Sequence, residues 1–338
     1  MRPVLNTLLA VALLAPANGG AQSREPIIDM HVHAQSAASQ GPPPLAMCTP
    51  LDPTPLWDQR TPYQDVFLDM VKKPRCADPI WSPTADQQLM TQTIAVMQGL
   101  NVIGMLGGTA STVDTWMAAG GARFMPALAL DVTDTNAPTP QAIRERHKAG
   151  RVAALAEVTN QYAGLTPDDA RMEPYWALAE ELDIPVGYHI GPTPPGAPYL
   201  AWPNMRARLH SPLTLEDVLV KHPKLRVWIM HAGYPMLDEL LAMLYQHPQV
   251  HVDIGVIVYT QPRPAFYRFL QAIVDAGFIG RVMFGSDQMV WPATIERSIA
   301  VINEAPFLSA AQKRDLLYNN AARFLRLSPQ AMAAHRGM

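Results

Sequence analysis

Two histidines two residues apart, His31 and His33, close an apolar run, and three further runs end in His189, His231 and Asp287. On a strand, residues two apart point the same way and lie about 6.5–7 Å apart at the backbone. Two imidazoles at that spacing can converge on one ion with Zn–N distances near 2.0–2.1 Å. A His-x-His pair alone is common by chance, and a lone His after an apolar run is more often a satisfied structural residue. Five such residues sharing one location in a repeating unit are not explained that way. They read as a metal site drawn from His31, His33, His189, His231 and Asp287. Imidazoles with one carboxylate suit zinc best; manganese, iron or cobalt would also sit there.

Two carboxylates accompany the set. Asp29 shares the face of His31 and His33 one step deeper, to hold an imidazole N–H or to lie hydrogen-bonded inside the fold. Glu157 ends the run 152–157 and is a further ligand, a substrate contact or a buried hydrogen-bond partner. No Lys stands at that strand end to bridge two metals as a carbamate, which favours one ion. His147, His222, His247 and His251 fall at helix ends or a strand start, and are read as surface or capping residues.

The elements that must position these side chains alternate along the chain. Short apolar segments at 27–33, 101–106, 123–130, 152–158, 184–190, 226–231, 250–254 and 282–287 read as strands buried on both faces. Helical patterns run between them at 84–99, 112–119, 140–149, 167–182, 214–222, 235–247, 264–276 and 293–303, with a last one at 309–325. Thr214 is placed as an N-cap, and Gly99, Gly150 and Gly277 as helix stops. Eight such units predict a closed (β/α)8 TIM barrel, whose C-terminal rim collects residues from remote strands. No Gly-x-Gly-x-x-Gly follows the first strand, which argues against a dinucleotide site. Two long connections, residues 34–83 and 191–212, leave strand ends on that rim and are read as lid and pocket walls.

Composition limits the rest. With 338 residues, 49% of them hydrophobic, the chain can build one large core, read as a single domain over 22–338. Arg2, the apolar stretch from Leu8 to Leu14 and the small residues Gly19, Gly20 and Ala21 read as a signal peptide over residues 1–21. Export to the periplasm or the medium follows. No other stretch could span a membrane, and the formal charge of −3 carries no basic patch for nucleic acid. Cys48 and Cys76 both lie in the Pro-rich insertion, where an exported protein would pair them. Oligomeric state is left open.

The order Asp29-Met30-His31-Val32-His33, His189, His231-Ala232-Gly233-Tyr234-Pro235, Phe284-Gly285-Ser286-Asp287 and Asn319-Asn320-Ala321-Ala322-Arg323-Phe324 resembles the amidohydrolase superfamily. It is most similar to the amidohydrolase-related branch that includes aminocarboxymuconate-semialdehyde decarboxylase-like enzymes and aromatic-degradation lactonases. The resemblance runs from about Ile27 to Leu327. It implies a distorted barrel holding one divalent metal, with His31, His33 and His189 as ligands. Asp287 would be ligand or proton carrier, and His231 would polarise substrate or move a proton. The Cys-bearing insertion and the export signal depart from the cytoplasmic enzymes of that branch.

Three readings of function follow. Metal-assisted hydrolysis of a small amide, ester or lactone leads, because a divalent ion brings the pKa of its water from 15.7 towards roughly 7. Asp287 would then act as general base and acid, and His231 as the group polarising the carbonyl. Tyr188, Tyr234, Tyr259 and Trp291 stand at or just past strand ends as candidate pocket walls. The alternative is metal-dependent nonoxidative decarboxylation of a small aromatic or unsaturated acid. The same ion would bind the carboxylate and Asp287 would protonate the carbon, with Arg60, Arg75, Arg206 and Arg208 as candidate basic side chains beside it. The last is a secreted barrel that binds metal or ligand without turnover.

Overall fold

The computed structural model describes residues 25–51, 53 and 56–338. The expected signal peptide, residues 1–21, lies outside the described residues. Eight parallel strands follow one another around a nearly closed barrel: β1 (Ile27–Ala34), β2 (Val102–Gly108), β3 (Phe124–Leu130), β4 (Ala154–Val158), β5 (Val186–His189), β6 (Val227–Met230), β7 (His251–Asp253) and β8 (Val282–Met283). The seam is crossed by two backbone bonds, Met30 N–H to the Phe284 carbonyl (2.9 Å) and Asp287 N–H to that of His31 (2.8 Å). All eight expected strands are present. The later ones are shorter than the apolar runs, because the chain leaves the ladder to form the rim.

Strand alternation separates two apolar clusters. Ile28, Met30, Met105, Ala127, Ala154, Ala156, Trp228, Met230 and Met283 fill the barrel interior, with Tyr318 and Phe324 packed against them. The outward set, including Val32, Leu106, Leu128, Leu155 and Tyr188, packs on the helices. The register of β1 shifts between Asp29 and Val32. That irregularity lets Ile28 and Met30 point into the core while His31 and His33, of opposite parity, also reach the interior. Gly187, paired with Trp228, leaves the room its indole occupies.

Helix boundaries follow the expected pattern with local corrections. Ser211, not Thr214, accepts the first free N–H of its turn (Leu213, 3.3 Å), and the Thr214 hydroxyl donates to the Ser211 carbonyl (2.8 Å). The helix expected to stop at Gly99 runs Asp86–Leu100 and ends on Asn101, whose φ of 52° is left-handed. His222 and His247 do follow helix ends, yet both are buried, paired with Glu180 (3.2 Å) and Glu216 (3.2 Å).

The Pro-rich insertion carries its own structure. Ala46–Met47 pairs antiparallel with Ile80–Trp81, and a helix spans Tyr63–Lys72. Cys48 and Cys76 form a disulfide with Cα atoms 5.9 Å apart. Trp291 Nε1–H donates to the Leu45 carbonyl (2.9 Å), tying this segment to the rim. Among the described residues, no helix is long and apolar enough to cross a membrane.

Candidate metal centre

The residues singled out by type and spacing meet at the C-terminal end of the barrel. His31 and His33 come from β1, Glu157 from β4 and His189 from β5; His231 directly follows β6, and Asp287 lies four residues past the end of β8. Glu157 stands at the centre. Its carboxylate lies 3.8 Å from His31 Nε2, 3.7 Å from His33 Nε2, 3.8 Å from His189 Nε2 and 3.3 Å from His231 Nε2. Asp287 Oδ1 faces His33 Nε2 at 2.9 Å and His31 Nε2 at 3.7 Å. Only His33 is appreciably open to solvent, so substrate would approach along its edge.

Each imidazole is oriented by what its other nitrogen meets. His189 Nδ1 donates to Gln161 Oε1 (2.7 Å), and His231 Nδ1 donates to the Gly255 carbonyl (2.9 Å). His31 Nδ1 lies 3.2 Å from Asp253 Oδ2. The Nε2 atoms of all three are thereby turned toward the centre, the arrangement that fixes a ligating tautomer. Gln288 clamps His33 through its backbone, accepting from its N–H (3.0 Å) and donating to its carbonyl (2.8 Å).

Both acid–base candidates stand on left-handed backbone. His231, Ala232 and Gly233 are consecutive left-handed residues, and Asp287 has φ of 52°. Non-glycine residues are held there only where surrounding bonds over-determine them, commonly at functional sites. Here the Asp287 N–H is bonded to His31, and its carbonyl accepts from the Tyr259 hydroxyl (2.8 Å). Two glycines give the imidazoles room. A Cβ on Gly191 would sit 2.5 Å from that of His231, and one on Gly255 2.7 Å from His31 Nδ1.

Charges in the cluster are strongly coupled. Burial works to raise Glu157, but the imidazoles of His189, His231 and His31 outweigh it and hold the carboxyl well below its usual range. Asp287 is likewise lowered against burial by His31, His33 and His231. Burial lowers His31, yet Asp287 and Asp253 raise it well above an ordinary histidine. His189 is pushed down to about 3, chiefly by burial, and stays neutral. The protein alone thus balances its carboxylates with imidazole protons, which is where a cation would substitute. The donor set fits one. His31, His33 and Glu157, then His31, His231 and Asp287, then Glu157, His189 and His231 each offer ligand atoms within 4.8 Å of one another. His31 Nε2 is buried without a hydrogen-bond partner, as a ligand nitrogen would be.

Several expected residues lie elsewhere. Tyr188, one residue before His189, has the opposite parity and stacks outward on Trp176 (5.7 Å between rings). Tyr234 packs edge-on against Phe269 (5.1 Å), away from the cluster. Tyr259 touches the site only through Asp287, and Trp291 is spent on the insertion. Asp29 holds no imidazole; its Oδ1 accepts from the backbone N–H of His31 (3.0 Å) and Ser286 (2.9 Å). Asp253 takes that place, at a strand end where an acid was already visible in the sequence. Arg60 is paired with Asp58, Arg206 donates to the carbonyls of Pro203 and Met205, and Arg75 and Arg208 are exposed.

The comparisons agree with this architecture. No curated protein matches the chain. Among solved structures it is similar to an uncharacterised TIM-barrel protein of Bordetella bronchiseptica (TM-score 0.58, 17% identity, 92% of this chain and 99% of that one). It is also similar to the "probable 2-pyrone-4,6-dicarboxylic acid hydrolase" of Acinetobacter baumannii (0.58, 13%, 89% and 99%). A third is the 5-carboxyvanillate decarboxylase of Novosphingobium aromaticivorans, solved with manganese (0.56, 15%, 91% and 98%). At these identities the likeness is one of fold. The amidohydrolase family model matches residues 28–327, and the chain belongs to that family.

Proposed function

We propose that this protein is a metal-dependent hydrolase of a small amide, ester or lactone. The observation that carries the reading is the pairing of Asp287 with His231, whose Oδ2 and Nδ1 lie 4.0 Å apart on strained backbone beside the imidazole cluster. His31, His33, His189 and Asp287 would hold the ion, with Glu157 facing it. Zinc is the best match to these donors; manganese, present in the Novosphingobium decarboxylase, is compatible with them. A divalent cation there supplies Lewis acidity and acidifies water.

The chain's own residues do the rest. Asp287 accepts the proton of the attacking water and returns it to the leaving nitrogen or oxygen. His231 donates from Nε2 to the substrate carbonyl as negative charge grows there. Its Nδ1–H is committed to Gly255, so the ring donates twice only as an imidazolium. Burial disfavours that form, but the Glu157 carboxylate outweighs it and raises His231. The same groups could protonate a carbon after loss of carbon dioxide. There the ion itself would hold the substrate carboxylate; a basic side chain beside it would favour that chemistry, and the four loop arginines lie on the surface. The Cys48–Cys76 disulfide suits an oxidising compartment, in keeping with export.

Turnover in ¹⁸O-labelled and deuterated water separates the two reactions. Hydrolysis places one solvent oxygen in the product. Deuterium on carbon without solvent oxygen would replace this reading with decarboxylation.

A further inference from the structure

Tyr162 was not among the expected site residues, and nothing so far gives it a role. It lies in the short turn Asn160–Ala163 that follows β4, five residues after Glu157. Its ring packs on that of His189 at 4.7 Å and on that of Trp202 at 5.0 Å. The turn is fixed by the bonds that orient the metal-facing imidazole. Gln161 accepts from His189 Nδ1 and from the Gly191 N–H (3.2 Å), and donates to the Gly191 carbonyl (3.2 Å). A Cβ on Gly164 would stand 2.6 Å from the Asn204 carbonyl oxygen, so this turn and the loop bearing Trp202 are in close contact.

The phenol is half-buried, and among the described residues its hydroxyl forms no hydrogen bond. It lies within electrostatic reach of both Glu157 and Asp287. A donor whose ring is held by packing beside these groups, with no protein acceptor and open to solvent, is available to a ligand in place of water. We propose that Tyr162 contacts the substrate directly, its O–H donating to an oxygen on or beside the scissile group. Trp202 backs the ring and sets its angle. The contact accepts an oxygen-bearing substrate of either charge state, and rejects analogues lacking that oxygen.

This inference rests on the hydrolytic reading of the same site, so its test carries a readout independent of turnover. Wild type, Tyr162→Phe and Tyr162→Leu, each loaded with zinc, are assayed with 4-nitrophenyl acetate and titrated calorimetrically with 4-nitrophenyl methylphosphonate. Removing a hydrogen bond to a charged oxygen should weaken phosphonate binding and lower kcat/KM about tenfold or more in Tyr162→Phe. Metal content and melting temperature should not change in that variant. Wild-type values in Tyr162→Phe, with losses confined to Tyr162→Leu, would make the ring mere packing and overturn the proposal. Phosphonate binding that depends on the hydroxyl, with no ester turnover in wild type, would count against hydrolysis and leave the contact standing.

Discussion

His31 Nδ1 lies 3.2 Å from Asp253 Oδ2, and that carboxylate is wholly buried. Asp253 also accepts from Trp228 Nε1 (3.1 Å) and from the N–H groups of His231 (3.1 Å) and Gly255 (2.9 Å). One side chain therefore links the interior core to the His31 imidazole and to the backbone that carries His231. Partners of this kind are worth about 10–100-fold in metal affinity. Asp253→Asn should weaken zinc binding within that range, measured by competition with a chromophoric chelator, while circular dichroism stays native. Unchanged affinity would leave Asp253 a packing residue.

Gly255 is a second support. A Cβ there meets His31 Nδ1 at 2.7 Å and the Asp287 Cβ at 3.1 Å, and neither neighbour can retreat. Overpacking of this kind costs about 1–3 kcal/mol. Displacing catalytic groups by an ångström costs roughly 100-fold in rate. Gly255→Ala should therefore lose activity well beyond what its lowered melting temperature explains. A variant with native turnover would contradict the close packing described.

The strands were legible because eight apolar runs repeat and because their polar ends coincide in phase. Parity carried less far. His189 and Tyr188 are adjacent, so only one of them could face the centre, and alternation alone excludes Tyr188. Of the two readings of Asp29 the second holds, a buried group hydrogen-bonded to backbone; what decides between them is the register shift in β1 between Asp29 and Val32, which no residue type announces. The left-handed backbone at His231 and Asp287 is equally silent, since neither residue is glycine. The helix Tyr63–Lys72 was hidden by the prolines around it, and Tyr162 by the absence of any strand-end position.

The disulfide should matter locally. Closing a loop with a sequence separation of 28 removes chain entropy worth about 3.6 kcal/mol. Cys48→Ser with Cys76→Ser should speed amide exchange in residues 56–75 more than in β1 or β5. Uniform protection in both proteins would show that contacts with the rim hold the insertion without the bond.

Acid stability should depend partly on His251. Burial pushes this ring down to about 4, and it packs on Phe324 at 4.7 Å. In the unfolded chain it titrates near 6.5, at the ordinary histidine value. Between those values the unfolded chain takes up a proton that the folded one refuses, so stability falls as pH falls. His251→Gln should show a shallower loss than wild type between pH 6.5 and 4 in urea melts. Identical slopes would mean the ring is not buried in solution.

The account turns on one ion held by His31, His33, His189 and Asp287. Metal content of the purified wild type, His31→Ala and Asp287→Asn, measured by mass spectrometry after zinc loading and desalting, tests it most directly. About one equivalent in wild type, lost in His31→Ala and reduced in Asp287→Asn, is the result expected of ligands from this donor set. No retained metal in wild type, or full retention in His31→Ala, would contradict the site itself.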